Sequence, residues 1–244
     1  MRQLLVINPN TGDATTRRLH TWIQPLLPAD VQLDCITAAF GAPYIACEAS
    51  HAVAGHALLD AWSNHMQHTK QPPDGVLIGC FGDPGLFALR ASSACPVSGL
   101  AEASFIQARA LGDFAIVTGG VHWKPMLQRL ALGLGLADRL KHIEIVKETG
   151  AELLADRAMA LRVLAQACER AANTGVKAII LGGAGLAGYA QDLQALVPLP
   201  LIDSVSAGVD LYLQGRFPAA VQSHNGFASA WHSLPDHMNL TGQG

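Results

Sequence analysis

The chain has 244 residues, half of them apolar and 14% charged, with a net charge of 16 − 19 = −3. That is ample for a sizeable core in one large α/β unit or two small ones. No basic cluster is longer than Arg17-Arg18, which argues against nucleic acid or an anionic membrane surface as partner, and no segment reaches the roughly 18 apolar residues of a membrane span.

Leu4–Ile7 reads as a first strand followed by the turn Asn8-Pro9-Asn10-Thr11-Gly12, with Asn10 or Thr11 placed to cap a helix over Thr15–Leu26. Val31–Ala38 alternates as a second strand, Gly41-Ala42-Pro43 is a loop, and Ile45–Gln67 has helical periodicity. Gly75–Gly79 is an apolar run of the kind buried on both sheet faces. It stops at Cys80, after which Gly82, Asp83, Pro84 and Gly85 break the chain before a helix over Leu86–Arg90. Cys95-Pro96-Val97 is a short strand, and Gly99–Ala103 opens another helix.

A second lap starts at Phe114–Thr118, with Gly119 and Gly120 in its turn and a helix over Trp123–Leu132. Ile143–Val146 reads as a strand, Ala151–Asn173 as one long helix, and Val176–Leu181 as a buried strand ending in Gly182-Gly183-Ala184-Gly185. Pro200–Asp203 is a last strand and Val205–Leu213 a last helix, and from residue 217 the composition turns polar. Residues 75–82 (GVLIGCFG) match 178–185 (AIILGGAG) at an offset of 178 − 75 = 103, and 4–7 match 114–117 at 110. The predicted fold is therefore α/β, with two similar parallel-sheet halves related by a pseudo-twofold and a site in the cleft between them. Residues 1–110 with 205–216 form one half, 111–204 the other, and 217–244 a tail.

Five cysteines lie scattered without CxxC spacing, the pattern of reduced thiols in a cytoplasmic protein. Neither a disulfide framework nor a metal site is expected, and the histidine pairs 51/56 and 65/68 read as solvated helix faces. The four-residue apolar run near the start is too short for a secretory signal. No phosphate-binding glycine motif is present, so no cofactor is expected.

Cys80 stands where α/β proteins place ligands, at the carboxyl end of a buried strand. A helix start facing it would lower its pKa from about 8.5, giving a thiolate that alkylates well below that pH. Such a group moves a proton on one face of a planar enolate, and inversion requires a second acid/base on the other. The mirror position holds Gly183. Backbone N–H groups of Phe81, Gly82, Ala184 and Gly185, with the side chains of Asn10 and Thr118, are the candidate donors to the enolate oxygen. Asp83 and Glu102 read as caps rather than site residues.

VINPNTG at 6–12, GCFGDPG at 79–85, PVSGLAEAS at 96–104, FAIVT at 114–118, LGGAGLA at 181–187 and PLIDSVSAG at 200–208 occur in an order and spacing that resembles the Asp/Glu/hydantoin racemase superfamily, hydantoin and allantoin racemases above all. The resemblance implies cofactor-independent proton transfer by two cysteines flanking the carbon α to a carbonyl of a small-molecule substrate, and a homo-oligomer. Cys80 matches the first cysteine, and Gly183 occupies the position of the second. That leaves a Cys→Gly substitution, a natural loss with single-face chemistry, or another group such as His122 acting from the far side. The alternatives are a single-cysteine decarboxylase like arylmalonate decarboxylase and a non-catalytic small-molecule binding protein.

Overall fold

The computed structural model describes residues 1–69 and 71–219. Strands β1 (Arg2–Asn8), β2 (Val31–Thr37), β3 (Gly75–Ile78) and β4 (Val97–Gly99) form one parallel sheet in the order β2-β1-β3-β4. Strands β5 (Phe114–Gly119), β6 (Leu140–Val146), β7 (Ala178–Gly182) and β8 (Leu201–Asp203) form a second, in the corresponding order β6-β5-β7-β8. Every residue of β3, β5 and β7 is buried, because helices cover both faces of a parallel sheet. The outer strands β2 and β6 keep exposed or half-buried positions.

Register carries the duplication further than residue identity does. Ile7 pairs with Ile78, and the residues 110 and 103 positions on, Val117 and Leu181, pair in the same way. Ile78 pairs with Gly99, and Leu181 with Asp203. The loops that follow repeat as well. Gly85 (φ 79°) and Gly188 (φ 87°), 103 residues apart, both adopt the left-handed conformation and open helices α3 (Leu86–Ser92) and α8 (Tyr189–Leu193).

Helices α1 (Asp13–Ile23), α2 (Glu48–His68), α4 (Leu100–Leu111), α5 (Trp123–Gly133) and α9 (Ser204–Leu213) agree in type and approximate place with the sequence reading. The single helix expected over 151–173 is two, α6 (Gly150–Ala155) and α7 (Arg157–Ala172). Asp156 ends the first and caps the second by accepting from Met159 N–H at 2.9 Å, while Thr149 and Glu152 form a capping box on α6. Neither Asn10 nor Thr11 caps α1. Its N-cap is Gly12, and Asn10 Oδ1 accepts the Gly12 N–H at 2.8 Å, one residue too early. The strand expected at 95–97 begins at Val97.

The helices that follow the two edge strands change sides. Helix α4 packs against β7 and β8 of the second sheet, although the sequence grouped it with residues 1–110. Helix α9 lies on the first sheet, where a Cβ added to Gly208 would come within 2.9 Å of Leu77 and one on Gly75 within 2.9 Å of Tyr212. One apolar core consequently spans both sheets, joined through the aromatic contacts Phe81–Phe105 and Phe105–Phe114, with centroids 6.4 and 5.4 Å apart. A second cluster fills the space between the other face of β5 and β7 and helices α7 and α8. Phe217, the first residue of the expected tail, is buried against Tyr212, and 220–244 lie outside the described residues. No helix among the described residues is long and apolar enough to cross a membrane.

Candidate active site

The carboxyl ends of β1 and β3 in one half, and of β5 and β7 in the other, open onto a cavity of about 430 Å³. The loops there must bend sharply, and β3 and β7 each run into a segment of three glycines at three-residue spacing, Gly79/82/85 and Gly182/185/188. Of the residues expected at the site, Asn10, Cys80, Phe81, Thr118, Gly183, Ala184 and Gly185 all line this cavity. Gly82 does not. Its N–H is directed at the Asp83 carboxylate, and a Cβ on it would lie 2.4 Å from Trp123. His122, the suggested far-side acid, is exposed outside the cavity.

The donor set differs from the expected one. Thr118 spends its hydroxyl proton on Gly182 C=O at 2.7 Å, so it offers the cavity an acceptor only. Asn10 Oδ1 accepts from Gly12 N–H and from Asn8 Nδ2, which orients the Asn10 NH₂ group as the free end of that amide. Gly183 N–H donates to Ser204 Oγ at 3.2 Å. Ala184 and Gly185 begin a short 3-10 turn, Ala184–Leu186, where the leading N–H groups have no intrahelical acceptor. With Phe81 N–H they remain the backbone donors of the site.

Cys80 is 8% exposed, and nothing lowers its pKa. Helix α3 begins only at Leu86, so no helix N–H reaches the sulfur. Burial, with the nearby Asp83 charge, pushes the thiol well above its ordinary range. The thiolate expected from the sequence is therefore a protonated thiol in the free protein.

Cys47 shows the opposite behaviour. It is the N-cap of α2, half-exposed, and hydrogen bonds from the Ser50 backbone and hydroxyl lower its pKa. Iodoacetamide at pH 7.5 should modify Cys47 ahead of Cys80, as peptide mapping by mass spectrometry would read. Preferential modification of Cys80 would contradict the burial described here.

Asp83 and Glu102 act as struts. Asp83, with φ 49°, accepts from Ala101 N–H at 2.9 Å and Glu102 N–H at 2.7 Å, capping α4 from a distant loop. Gly99 leaves the space for it, since a Cβ there would fall 2.1 Å from the Asp83 carboxyl carbon. In the second half the cap stands at the equivalent position itself, Asp203, which accepts from Val205 and Ser206 N–H. Glu102 pairs with Arg90 and accepts from Ser98 Oγ at 2.8 Å.

Burial raises the Asp83 pKa from 3.8 to about 7 against the pull of its N–H donors. A carboxyl with a higher pKa folded than unfolded binds more protons when folded. Its contribution is complete below about pH 4 and is lost as pH rises through about 7. Unfolding free energies from urea titrations at pH 4.5 and 8 should therefore differ by on the order of 2 kcal/mol more in the wild type than in Asp83→Asn, with the wild type favoured at the lower pH. A wild-type gain on raising the pH relative to that variant would reverse the assignment.

Several lining residues carried no signal in the sequence. Tyr44, after β2, reaches the cavity with its phenol beside the Trp123 indole and the Gly150 backbone. Its position on a loop at a strand's carboxyl end was a usable clue. Arg18 reaches it from α1 and had read as half of an ordinary basic pair. The histidines also differ from expectation. His51 is half-buried with Nε2 3.0 Å from Gly82 O, His56 and His65 are half-buried, and only His68 is exposed.

The arrangement, two sheets of equal topology with one cysteine loop and its glycine counterpart on a shared cavity, has relatives. The Asp/Glu/hydantoin racemase family matches residues 4–212. The chain belongs to this family. Within it, the chain is 30% identical to a hydantoin racemase of Paenarthrobacter aurescens over 207 residues, 84% of this chain and 87% of the relative. It superposes on an allantoin racemase from Klebsiella pneumoniae with a TM-score of 0.86 at 26% identity, covering 98% of this chain and 100% of the other. Arylmalonate decarboxylase is similar in fold, with a TM-score of 0.58 at 18% identity over 88% of this chain and 92% of that one.

Proposed function

We propose that this member of the racemase family moves a proton at a carbon α to a carbonyl of a hydantoin- or allantoin-like ring, using Cys80 alone and no cofactor. The observation that carries the reading is that Cys80 and Gly183, at equivalent places in the two halves, line the same cavity. A two-face mechanism needs a proton-transfer group at both places. The free N–H groups of Phe81, Ala184 and Gly185 and the Asn10 amide suit a ring whose oxygens gain charge as the enolate forms, a role typically worth several kcal/mol.

The chemistry then follows the thiol's state. Cys80 must lose its proton to the medium, take the α-proton, and return a proton to the same face. Because burial holds the thiol protonated, deprotonation limits the first step. The same protonated state favours a second reading, in which Cys80 delivers a proton to an enolate left by loss of carbon dioxide from a malonate.

The test follows C5–H of 5-methylhydantoin in D2O by NMR and carbon dioxide release from phenylmalonate, each against the protein-free rate. Exchange of the hydantoin proton supports the first reading, and carbon dioxide release supports the second. Acceleration of neither leaves a binding protein and overturns both.

A further inference from the structure

Arg18 is the one charged side chain among the described residues that line the cavity. It enters from α1, half-buried, over the ring of Trp22 at 5.9 Å, and Nη2 donates to Ala187 C=O of the other half at 3.1 Å. The Nε–H is buried with no acceptor, and among the described residues no carboxylate lies within 4.0 Å of the guanidinium. The acidic group that influences it, Asp203, spends Oδ1 on Val205 and Ser206 N–H and Oδ2 on Gly188 N–H. Arg157, which also bears on it, is paired with Asp192.

A guanidinium has five N–H donors in a planar fork suited to a carboxylate. Here one of them is used by a backbone carbonyl, and the charge is partly desolvated without a counter-ion. A partly desolvated charge is costly until an opposite charge meets it. The rest of the wall offers no competing carboxylate, and the neutral donors of the site lie on the Cys80 and Gly183 loops and at Asn10.

From this geometry we infer that the substrate carries a carboxylate, held by Arg18 while the reacting carbon lies at Cys80. The inference rests on the proposed hydantoin chemistry and narrows it to rings with an acidic substituent. Arg18 is then a specificity-determining residue: it sets which ring is bound and takes no part in the proton transfer.

Calorimetry with 5-carboxymethylhydantoin and 5-methylhydantoin, two rings that differ in the carboxylate, tests it. Wild type should bind the acidic ring about tenfold or more tighter, as expected for a charge-assisted pair. Arg18→Gln should remove that preference by weakening binding of the acidic ring far more than that of 5-methylhydantoin, and Arg18→Lys should keep part of it. Equal binding of the two rings by wild type, or an equal loss of both in Arg18→Gln, overturns the inference and leaves the hydantoin reading in place. Binding of neither ring removes both.

Discussion

If Cys80 carries the proposed proton transfer, Cys80→Ser should exchange the C5 proton of 5-methylhydantoin about 10²- to 10⁴-fold more slowly than wild type, the range typical for loss of a positioned acid/base. Serine keeps the size of the side chain but has a far higher pKa, so it cannot exchange protons with the ring at neutral pH. Cys80→Ala gives the same loss without a hydroxyl, and agreement of the two variants separates lost chemistry from lost packing. The wild-type rate should climb close to tenfold per pH unit between 7 and 9, because the thiol titrates above its ordinary range. A rate that levels off below pH 8 would show an activated thiolate, and full activity in Cys80→Ser would move the chemistry to another residue.

Gly183→Cys should turn exchange into inversion. Space is available: a Cβ at Gly183 meets Leu186 Cγ at 3.5 Å and Cδ1 at 3.8 Å, ordinary contact. Backbone conformation is the cost, since Gly183 has φ +146°, where L-residues rarely sit. Such strain amounts to roughly 1–3 kcal/mol, and at about 2–4 °C per kcal/mol the unfolding midpoint should fall by a few to about 10 °C. Against that loss the second thiol should raise inversion by about 10²-fold or more. Polarimetry on one enantiomer, paired with a thermal scan, reads both effects. A folded variant that exchanges without inverting would show that Gly183 is not where the far-side acid/base belongs.

The sheet halves were legible because buried parallel strands write continuous apolar runs, as at Gly75–Ile78, and because the duplication repeats the run with its glycine loop. The gathering of Asn10, Cys80, Phe81, Thr118 and Gly183 around one cavity follows from strand carboxyl ends sharing an edge. What the sequence hid was non-local. The Thr118 hydroxyl is committed by a carbonyl 64 residues away, and the Cys80 thiol is set by burial in the folded protein, not by its own loop. Arg18 reaches the cavity because α1 lies against the 3-10 turn at Ala184–Leu186, which had not been foreseen. The break at Asp156 was written locally, in Thr149-x-x-Glu152 followed by Asp156, and the apolar periodicity on either side concealed it.

The proposal that proton transfer takes place on a single wall of the cavity, at Cys80, is most directly tested with (S)-5-methylhydantoin in D2O, following deuterium at C5 by NMR and optical rotation on the same sample. Deuterium should enter many times faster than the hand is lost, once the protein-free rates are subtracted. Equal rates of labelling and inversion would place a second acid/base opposite Cys80 and contradict a one-sided site.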